Sequence, residues 1–291
     1  MAAKKAVKKG GPPSSRVGAV RVTNPEKLLY PESGITKREV AGYFEAVAPW
    51  MLAHVVGRPV TFVRYQHGWD KGGFYQKHAK GGVAKGVRTV AVGAHAKGGD
   101  VLAIDDASTL VGLAQMNVLE VHVWGAKIAA LDRPDLLLFD LDPDPEVPWS
   151  EVLATARVVR ERLAARGHEA FVKTTGGKGL HLACRAPAGM TWRQAHDLGR
   201  DLGEELVREA PERWLTSISK AKRKGKTLLD FSRNVPQSTF VAPYSPRGRA
   251  GAPVSTPLAW DELDASAPAD LTIRTVVDRL RARGDPWAAL A

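Results

Sequence analysis

The stretch that most constrains this chain runs from Leu136 to Asp144, where a short apolar run gives way to alternating carboxylates. Apolar runs closed by proline and acidic residues are typical of a buried strand that ends at a surface. Residues i and i+2 of a strand point to the same face, so Asp140 and Asp142 project side by side, about 7 Å apart. Carboxylates this close repel each other unless a cation lies between them. Oxygen ligands suit Mg²⁺ or Mn²⁺, so the stretch predicts a metal site, with an acidic turn after a core strand as the alternative.

The bulk properties of the chain indicate a globular protein of the cytoplasm. Its 291 residues are enough to bury a sizeable core, and 44% of them are apolar. We expect no membrane contact, because no run of about 18 apolar residues is present and the N-terminus lacks the apolar core of a signal peptide. The single cysteine, Cys184, excludes internal disulfides and zinc clusters and fits a reducing compartment.

The charge of the chain favours a polyanionic partner. The net charge is +11; residues 1–20 hold five of the basic side chains and no acid, so the remainder carries +6. Residues 1–20 are too polar to pack and are predicted to form a disordered basic tail or linker. A second basic group, Lys220 to Lys226, predicts a contact with a nucleic-acid backbone, with a solvated loop as the alternative.

From residue 135 onward the pattern reads strand, helix, strand, strand, helix, strand. This is the ferredoxin-like split βαβ order, in which the fourth strand normally lies beside the first. Asp230 follows Leu228 and Leu229 in the fourth strand and would therefore arrive next to Asp140 and Asp142. Three carboxylates from two neighbouring strands predict a two-metal site.

The glycine-rich turn from Thr175 to His181 forms a second constellation. Its three glycines allow backbone N–H groups to converge on an anion, to which Lys178 adds a positive charge and Thr175 a hydroxyl. The turn lies next to the predicted carboxylate strand, which favours triphosphate binding over a glycine hairpin without a ligand. Arg247 and Arg249 emerge where the sheet is predicted to end, a position suited to clamping phosphates.

Four segments of the chain occur in an order that resembles a known family. They are Phe-Asp-Leu-Asp-Pro-Asp-Pro, Thr-Thr-Gly-Gly-Lys-Gly-Leu-His, Leu-Asp-Phe-Ser-Arg-Asn and Ala-Pro-Tyr-Ser-Pro-Arg-Gly-Arg. Together they resemble the polymerase domain of bacterial ATP-dependent DNA ligase D, which belongs to the archaeo-eukaryotic primase superfamily. The resemblance extends from about Val20 to Trp287.

The resemblance implies an α/β (α+β) chain with a primase-type fold, in which a ferredoxin/RRM-like catalytic sheet packs against an N-terminal α/β subdomain. We therefore predict four regions. They are the basic tail (1–20), an N-terminal subdomain with 5′-phosphate and template contacts (21–134), the catalytic subdomain (135–250) and a C-terminal helical extension (251–291).

The resemblance also implies a function. It is the addition of ribo- and deoxyribonucleotides to 3′ ends, as templated gap filling and terminal transfer, during non-homologous end joining. Ribonucleotides are expected to be preferred, with two Mn²⁺ (or Mg²⁺) ions as activating metals and NTP or dNTP substrates. The expected partners are double-stranded DNA ends or gaps with a 5′-phosphate, Ku, and ligase and phosphoesterase domains; the expected location is the bacterial cytoplasm, at the nucleoid.

The same resemblance assigns site residues by motif. The metal carboxylates would be Asp140, Asp142 and Asp230. The nucleotide would be bound by Thr175 (usually Ser in the family), Lys178, Gly179, His181, His122, Arg247, Arg249, Phe74 and Tyr75. Of these, His122 matches a histidine near the sugar, and Phe74 and Tyr75 match a pair that stacks on the nucleotide and the template base. The 5′-phosphate of the downstream strand would be bound by Asn24, Lys27 and Lys37.

Two other functional classes remain as alternatives. A metal nuclease also uses clustered aspartates, although it has no need of a glycine nest and paired arginines. A non-catalytic DNA-end-binding module with a primase fold is the other possibility, but the presence of all three carboxylates and His181 argues against lost chemistry.

Overall fold

The structure, a computed structural model, describes residues 12–291, which form sixteen strands and five α-helices. The strands are β1 (Ser14–Val17), β2 (Val20–Thr23), β3 (Leu28–Tyr30), β4 (Ile35–Thr36), β5 (Val60–Arg64), β6 (Phe74–Gln76), β7 (Arg88–Ala91), β8 (Asp100–Ala103), β9 (Val118–Trp124), β10 (Leu136–Pro143), β11 (Phe171–Thr174), β12 (Leu180–Arg185), β13 (Trp214–Leu215), β14 (Thr227–Asp230), β15 (Thr239–Val241) and β16 (Pro257–Leu258). The helices are α1 (Lys37–Val55), α2 (Ala107–Gln115), α3 (Trp149–Ala164), α4 (Trp192–Glu209) and α5 (Val276–Arg283). None of the described helices is both long and apolar enough to cross a membrane.

Two sheets dominate the fold. The N-terminal sheet has the strand order β15-β9-β5-β8-β7, with β6 also paired to β5, and the C-terminal sheet has the order β13-β14-β10-β12-β11-β16. The predicted split βαβ unit is confirmed: β10, α3, β11, β12, α4 and β14 occur in this order, with the two-residue β13 between α4 and β14, and β14 pairs with β10. One continuous apolar core includes side chains from both sheets.

Helix α1 begins at Lys37, where Thr36 and Glu39 form a capping box. The Thr36 hydroxyl accepts a hydrogen bond from the Glu39 N–H, and the Glu39 carboxylate accepts one from the Thr36 N–H. Val40, Phe44 and Val47 recur at helical spacing on the buried face of α1. This helix packs against α2 and covers the core.

Helix α4 fixes the end of β14. It is capped by Thr191 and Gln194, also as a capping box, and its buried face carries small residues. A Cβ atom added to Gly199 would lie 2.7 Å from the carbonyl oxygen of Phe231, so only glycine permits this approach. Since Phe231 directly follows Asp230, the close contact holds the end of the strand that carries this aspartate.

The predicted disordered tail is wrong for part of its length. Strand β1 pairs with β2 in an antiparallel hairpin, and Val17 and Val22 are buried beneath it. Burial of these alternating valines outweighs the polar composition on which the prediction was based. The remainder of the predicted tail, residues 1–11, lies outside the described residues.

Two short strands cross the predicted region boundaries. Strand β15, near residue 240, lies within the predicted catalytic region but pairs with β9 of the N-terminal sheet. The predicted C-terminal helical extension, 251–291, contains the helix α5, and it also contains β16, which pairs with β11 of the C-terminal sheet. The boundaries at residues 134 and 250 stay predictions.

An ion pair between a buried arginine and a half-buried aspartate ties the two sheets together. Arg58, which precedes β5 and is 1% exposed, donates from both terminal nitrogens to the two carboxylate oxygens of Asp135, each at 2.6 Å. Asp135 lies immediately before β10. The pair is bidentate and therefore fixes orientation as well as distance.

Replacing Asp135 with alanine is expected to lower the free energy of unfolding by about 3 kcal/mol, because it leaves a buried guanidinium without a counter-charge. Urea denaturation measures this loss. The control is Asp264→Ala, which removes the partner of the exposed Arg157 and should change stability by less than about 1 kcal/mol. Equal losses in the two variants would contradict the assignment.

Candidate active site

The register of three strands gathers the candidate catalytic residues into a row. Asp140 on β10 lies opposite His181 on β12 and opposite Asp230 on β14. Directly opposed residues of an antiparallel pair share a face, so the three side chains lie side by side. Asp142 is two residues further along β10 and projects to the same face. The predicted approach of Asp230 to the other two aspartates is confirmed.

Asn234 completes the hydrogen bonding of β10 beyond this row. Strand β14 pairs with β10 only from Asp140 onward, so the backbone of Leu138 needs another partner on that side. The Asn234 side chain accepts a hydrogen bond from the Leu138 N–H at 2.7 Å and donates one to its carbonyl at 2.8 Å. The turn after β14 is thereby folded back onto β10, which positions Arg233.

Two arginines that were not predicted as site residues contact the three aspartates. The Arg233 Nε lies 3.4 Å from Asp140 Oδ2 and 3.1 Å from Asp230 Oδ2. The Arg223 Nη1 donates to Asp142 Oδ2 at 3.0 Å. Arg223 belongs to the basic group predicted to contact nucleic acid; in the structure its partner is a carboxylate. Each aspartate therefore has a guanidinium neighbour.

The donor chemistry of this cluster fits a divalent metal ion, although its present geometry is not that of a finished metal site. Carboxylate oxygens are the ligands that Mg²⁺ and Mn²⁺ prefer. Within residues 12–291, however, no three His, Cys, Asp or Glu side chains converge as a group that could hold a metal ion. Arg233 lies between two of the aspartates, so an ion binding to both would take over its position. The Nδ1 atom of His181 is also buried, without a hydrogen-bond partner among the described residues.

The ionisation states along the row follow from burial and neighbouring charges. Burial acts to raise the pKa of Asp140, but His181 and then Arg233 outweigh it and hold the pKa below its usual value. Burial, with a contribution from Lys173, lowers the pKa of His181 to about 4. Lys173 lies opposite His181 and is fully buried; burial and then Arg247 lower its pKa well below the ordinary range. At neutral pH, Asp140 is ionised and His181 is neutral.

The glycine-rich turn forms one end of a cleft of about 290 Å³. The N–H and the hydroxyl of Thr175 both donate to the carbonyl of Gly179, at 3.1 and 3.2 Å, and close the turn between β11 and β12. The ammonium of Lys178 lies 4.0 Å from Asp142. Arg247 donates to the Thr175 carbonyl. The turn, Lys178 and the predicted arginines, Arg247 and Arg249, thus line one cleft together with Asp140 and Asp142. Asp230 does not line it but lies opposite Asp140 on β14.

The N-terminal sheet supplies the opposite wall of the cleft. His122 on β9 and Tyr75 on β6 both line it, with ring centroids 5.8 Å apart and planes at 65°. Phe74 points to the other face of β6, where the Arg64 guanidinium lies 5.5 Å from its ring. Of the two aromatic residues predicted to stack, only Tyr75 therefore lines the cleft; both rings remain largely exposed.

Glu120 is a residue of this wall that sequence reasoning missed. Its carboxylate accepts hydrogen bonds from His122, Tyr65, Arg247 and the Gly248 N–H, at 2.8 to 3.0 Å. A charged residue that alternates with His122 in an otherwise apolar strand was the signal available. Burial acts to raise the pKa of Glu120, but the His122 and Arg247 contacts lower it to about 2.

The predicted 5′-phosphate residues lie together but do not line the cleft. The Lys27 N–H donates to the Asn24 carbonyl, and the N–H of Lys37, the first residue of α1, donates to the Lys27 carbonyl. The ammonium groups of the two lysines contact backbone carbonyls, those of Gln66 and Gln115, and not carboxylates. Burial and then Lys27 lower the pKa of Lys37. Two neighbouring ammonium groups at a helix N-terminus suit a phosphate group.

A ferredoxin-like sheet with paired aspartates beside a glycine-rich turn is the arrangement of a primase-type protein, and comparisons with known proteins agree. The family model for the LigD primase-polymerase domain matches residues 36–287. The chain is 35% identical over 284 residues to the multifunctional non-homologous end joining protein LigD of Pseudomonas aeruginosa, covering 97% of this chain and 34% of that protein. For the multifunctional non-homologous end joining DNA repair protein LigD of Mycobacterium tuberculosis, the identity is 35% over 275 residues, covering 91% of this chain and 36% of that protein. The chain belongs to the LigD primase-polymerase domain family.

A solved structure supports the same fold. The polymerase domain from Mycobacterium tuberculosis Ligase D in complex with DNA superimposes with a TM-score of 0.85 at 34% sequence identity, covering 93% of this chain and 97% of that one. The predicted primase-type fold is thereby confirmed. The chain spans about a third of the length of these two curated relatives.

Gly179→Ala is expected to damage the turn, because its Cβ would lie 2.3 Å from the Leu141 carbonyl oxygen. We expect a loss of about 1–3 kcal/mol in the free energy of unfolding, measured in urea. Gly42→Ala is the control: no atom lies within 4 Å of its added Cβ, and in α1 the change should stabilise by about 0.5–1 kcal/mol. If both substitutions changed the free energy of unfolding in the same direction, the close approach of Gly179 to Leu141 would not explain the result.

Acid should destabilise the protein through Glu120. The folded pKa of about 2 lies below the ordinary 4.5, so the unfolded chain takes up this proton first as the pH falls. The contribution of ionised Glu120 to the free energy of unfolding, roughly 3 kcal/mol, is present above pH 4.5 and is lost progressively towards pH 2. Urea titrations at several pH values should therefore show a shallower pH slope for Glu120→Gln than for wild type in this window. Parallel slopes would show that Glu120 is not the group responsible.

Proposed function

We propose that the chain is a primase-type polymerase that adds ribo- and deoxyribonucleotides to DNA 3′ ends, by templated gap filling and by terminal transfer, in non-homologous end joining. The observation that carries this proposal is the single cleft lined by Asp140, Asp142, the glycine-rich turn and the paired arginines, with Asp230 opposite Asp140 on the neighbouring strand. The positive charges of Lys178, Arg247 and Arg249 are complementary to the negative charge of a triphosphate, and the aspartates lie beside them. The family membership supports the same class of chemistry.

The aspartates are the proposed catalytic residues. Asp140, Asp142 and Asp230 would hold two Mn²⁺ or Mg²⁺ ions. Such ions, when bound, lower the pKa of a primer 3′-hydroxyl and neutralise the charge of the leaving pyrophosphate. His181, neutral at pH 7, contacts Asp140 Oδ1 at 3.4 Å and orients that carboxylate.

The remaining cleft residues would bind and orient the nucleotide. Lys178, Arg247 and Arg249 would neutralise the triphosphate, and the Thr175–Gly179 turn would offer N–H groups to it. His122 and Tyr75 lie on the facing wall, where they would contact the sugar and the base. Holding the triphosphate against the aspartates converts a bimolecular encounter into an ordered reaction.

DNA would approach from the N-terminal side of the cleft. Asn24, Lys27 and Lys37 are suited to a 5′-phosphate, and the exposed ring of Phe74 to a template base. The solved structure of the mycobacterial polymerase domain contains DNA, which supports a DNA partner for this chain. Ku, a ligase domain and a phosphoesterase domain remain proposed partners, and the bacterial nucleoid the proposed location.

A non-catalytic DNA-end-binding module is the second candidate. The ion pairs of Arg233 and Arg223 with the three aspartates favour it, because they occupy the carboxylates that a metal ion would need. The intact nucleotide-binding turn argues for the polymerase.

Primer extension on a gapped duplex with a recessed 5′-phosphate tests the proposal, with Mn²⁺ and either ATP or 2′-deoxy-ATP. We expect extension, and a loss of roughly 1000-fold or more in Asp230→Asn, because several kcal/mol of charge stabilisation disappear. Asp197→Asn, a half-exposed carboxylate on α4, should retain wild-type extension. The expected preference for ATP is read from the same reactions.

The same assay separates the alternatives. DNA binding without extension in the presence of either Mn²⁺ or Mg²⁺ would favour the end-binding module, and shortening of DNA without nucleotide would identify a nuclease.

The Lys27→Ala variant should extend primers, but it should no longer extend a primer at a 5′-phosphorylated gap faster than at an unphosphorylated one. If the variant still extends faster at the phosphorylated gap, as the wild type does, the phosphate pocket lies elsewhere.

A further inference from the structure

The Glu120 carboxylate is saturated with hydrogen-bond donors. Oε1 accepts from the Tyr65 hydroxyl at 2.8 Å and the Gly248 N–H at 3.0 Å; Oε2 accepts from Arg247 Nε at 3.0 Å and His122 Nε2 at 2.9 Å. A carboxylate has about four acceptor positions, and all four are used. Glu120 is 4% exposed, so water does not compete for them.

This saturation determines where the proton of His122 lies. An ionised carboxylate only accepts hydrogen bonds, so the His122 Nε2 must carry the hydrogen that it shares with Glu120. Burial lowers the pKa of His122, against the opposing effect of Glu120, so the ring is neutral at pH 7. A neutral imidazole protonated at Nε2 has a lone pair at Nδ1.

The cleft is therefore left with a hydrogen-bond acceptor on this wall. The His122 ring lines the cleft beside Tyr75, and its Nε2 is already bound to Glu120. In the hydrogen bonds of residues 12–291, Nδ1 takes no part. A ligand group that meets Nδ1 gains a hydrogen bond only if it is a donor.

We propose that Glu120 is a positioning residue for sugar selection: it fixes His122 as an acceptor that favours a nucleotide with a 2′-hydroxyl over one without. The inference rests on the proposed function, since it places the nucleotide sugar against His122. A ribose hydroxyl can donate to Nδ1, whereas the hydrogen at the same position of a deoxyribose cannot.

Glu120 also contacts Arg247, and this second role can be separated from the first. Arg247 would act on the triphosphate, which is the same in ATP and 2′-deoxy-ATP. Displacement of Arg247 therefore changes the efficiency with both nucleotides in proportion. The ratio of kcat/KM for ATP to that for 2′-deoxy-ATP isolates the contact at the sugar.

The kinetic test compares E120Q with Y65F. In E120Q an amide NH₂ group, which donates, replaces one of the accepting carboxylate oxygens, so Nε2 of His122 need no longer carry the proton. The ratio of kcat/KM for ATP to that for 2′-deoxy-ATP should therefore fall roughly five- to tenfold, mostly through a higher KM for ATP. Y65F removes a hydrogen bond from the other oxygen of the same carboxylate and keeps the aromatic ring. It should leave the ratio unchanged, whatever its effect on stability. An unchanged ratio in E120Q overturns the inference.

A second measurement needs neither a folded variant nor turnover. Long-range ¹⁵N–¹H correlation spectra of the wild-type histidine rings distinguish the two tautomers, and we expect His122 protonated at Nε2 and neutral at pH 7. Protonation at Nδ1 overturns the inference. Failure of the wild type to extend any primer would instead overturn the proposed function, and extension without a preference for ATP would overturn the inference alone.

Discussion

The position of β10 between β12 and β14 is the constraint on which the site depends. Antiparallel pairing on both sides aligns His181, Asp140 and Asp230, which are far apart in the sequence, on one face of the sheet. A slip of one residue in either ladder would turn these side chains to opposite faces. Phe139 opposes such a slip, because it is fully buried against Phe231 on the other face, with ring centroids 5.1 Å apart.

The buried charges on the two walls of the cleft differ in how completely they are paired. Glu120 is enclosed and uses every acceptor position, so its wall is fixed before a ligand arrives. The aspartates of the facing wall share partly exposed guanidinium groups from Arg223 and Arg233, which can move away without leaving an empty space in the core. This division is consistent with the proposals that the wall of Glu120 contacts a nucleotide sugar and that the aspartates bind cations.

The sequence was informative where structure depends on neighbouring residues. The apolar run before Asp140 marked the central strand of the C-terminal sheet. From the order of elements, the approach of Asp230 could also be predicted. The contacts of Arg223 with Asp142 and of Arg247 with Glu120 could not, because they join residues far apart in the sequence whose types are common on any surface. A strand as short as β16 carries too few residues to show a period.

The paths of β15 and β16 make the two sheets interdependent. After Asp230 the chain leaves the C-terminal sheet to provide the edge strand beside β9, and then returns to provide the edge strand beside β11. Without these returns, β9 and β11 would each expose a row of unpaired backbone groups of the kind that promotes aggregation. Cutting the chain at residue 134 would therefore leave the N-terminal sheet without its edge strand β15. The two walls of the cleft are thus joined by the covalent path of the chain as well as by packing.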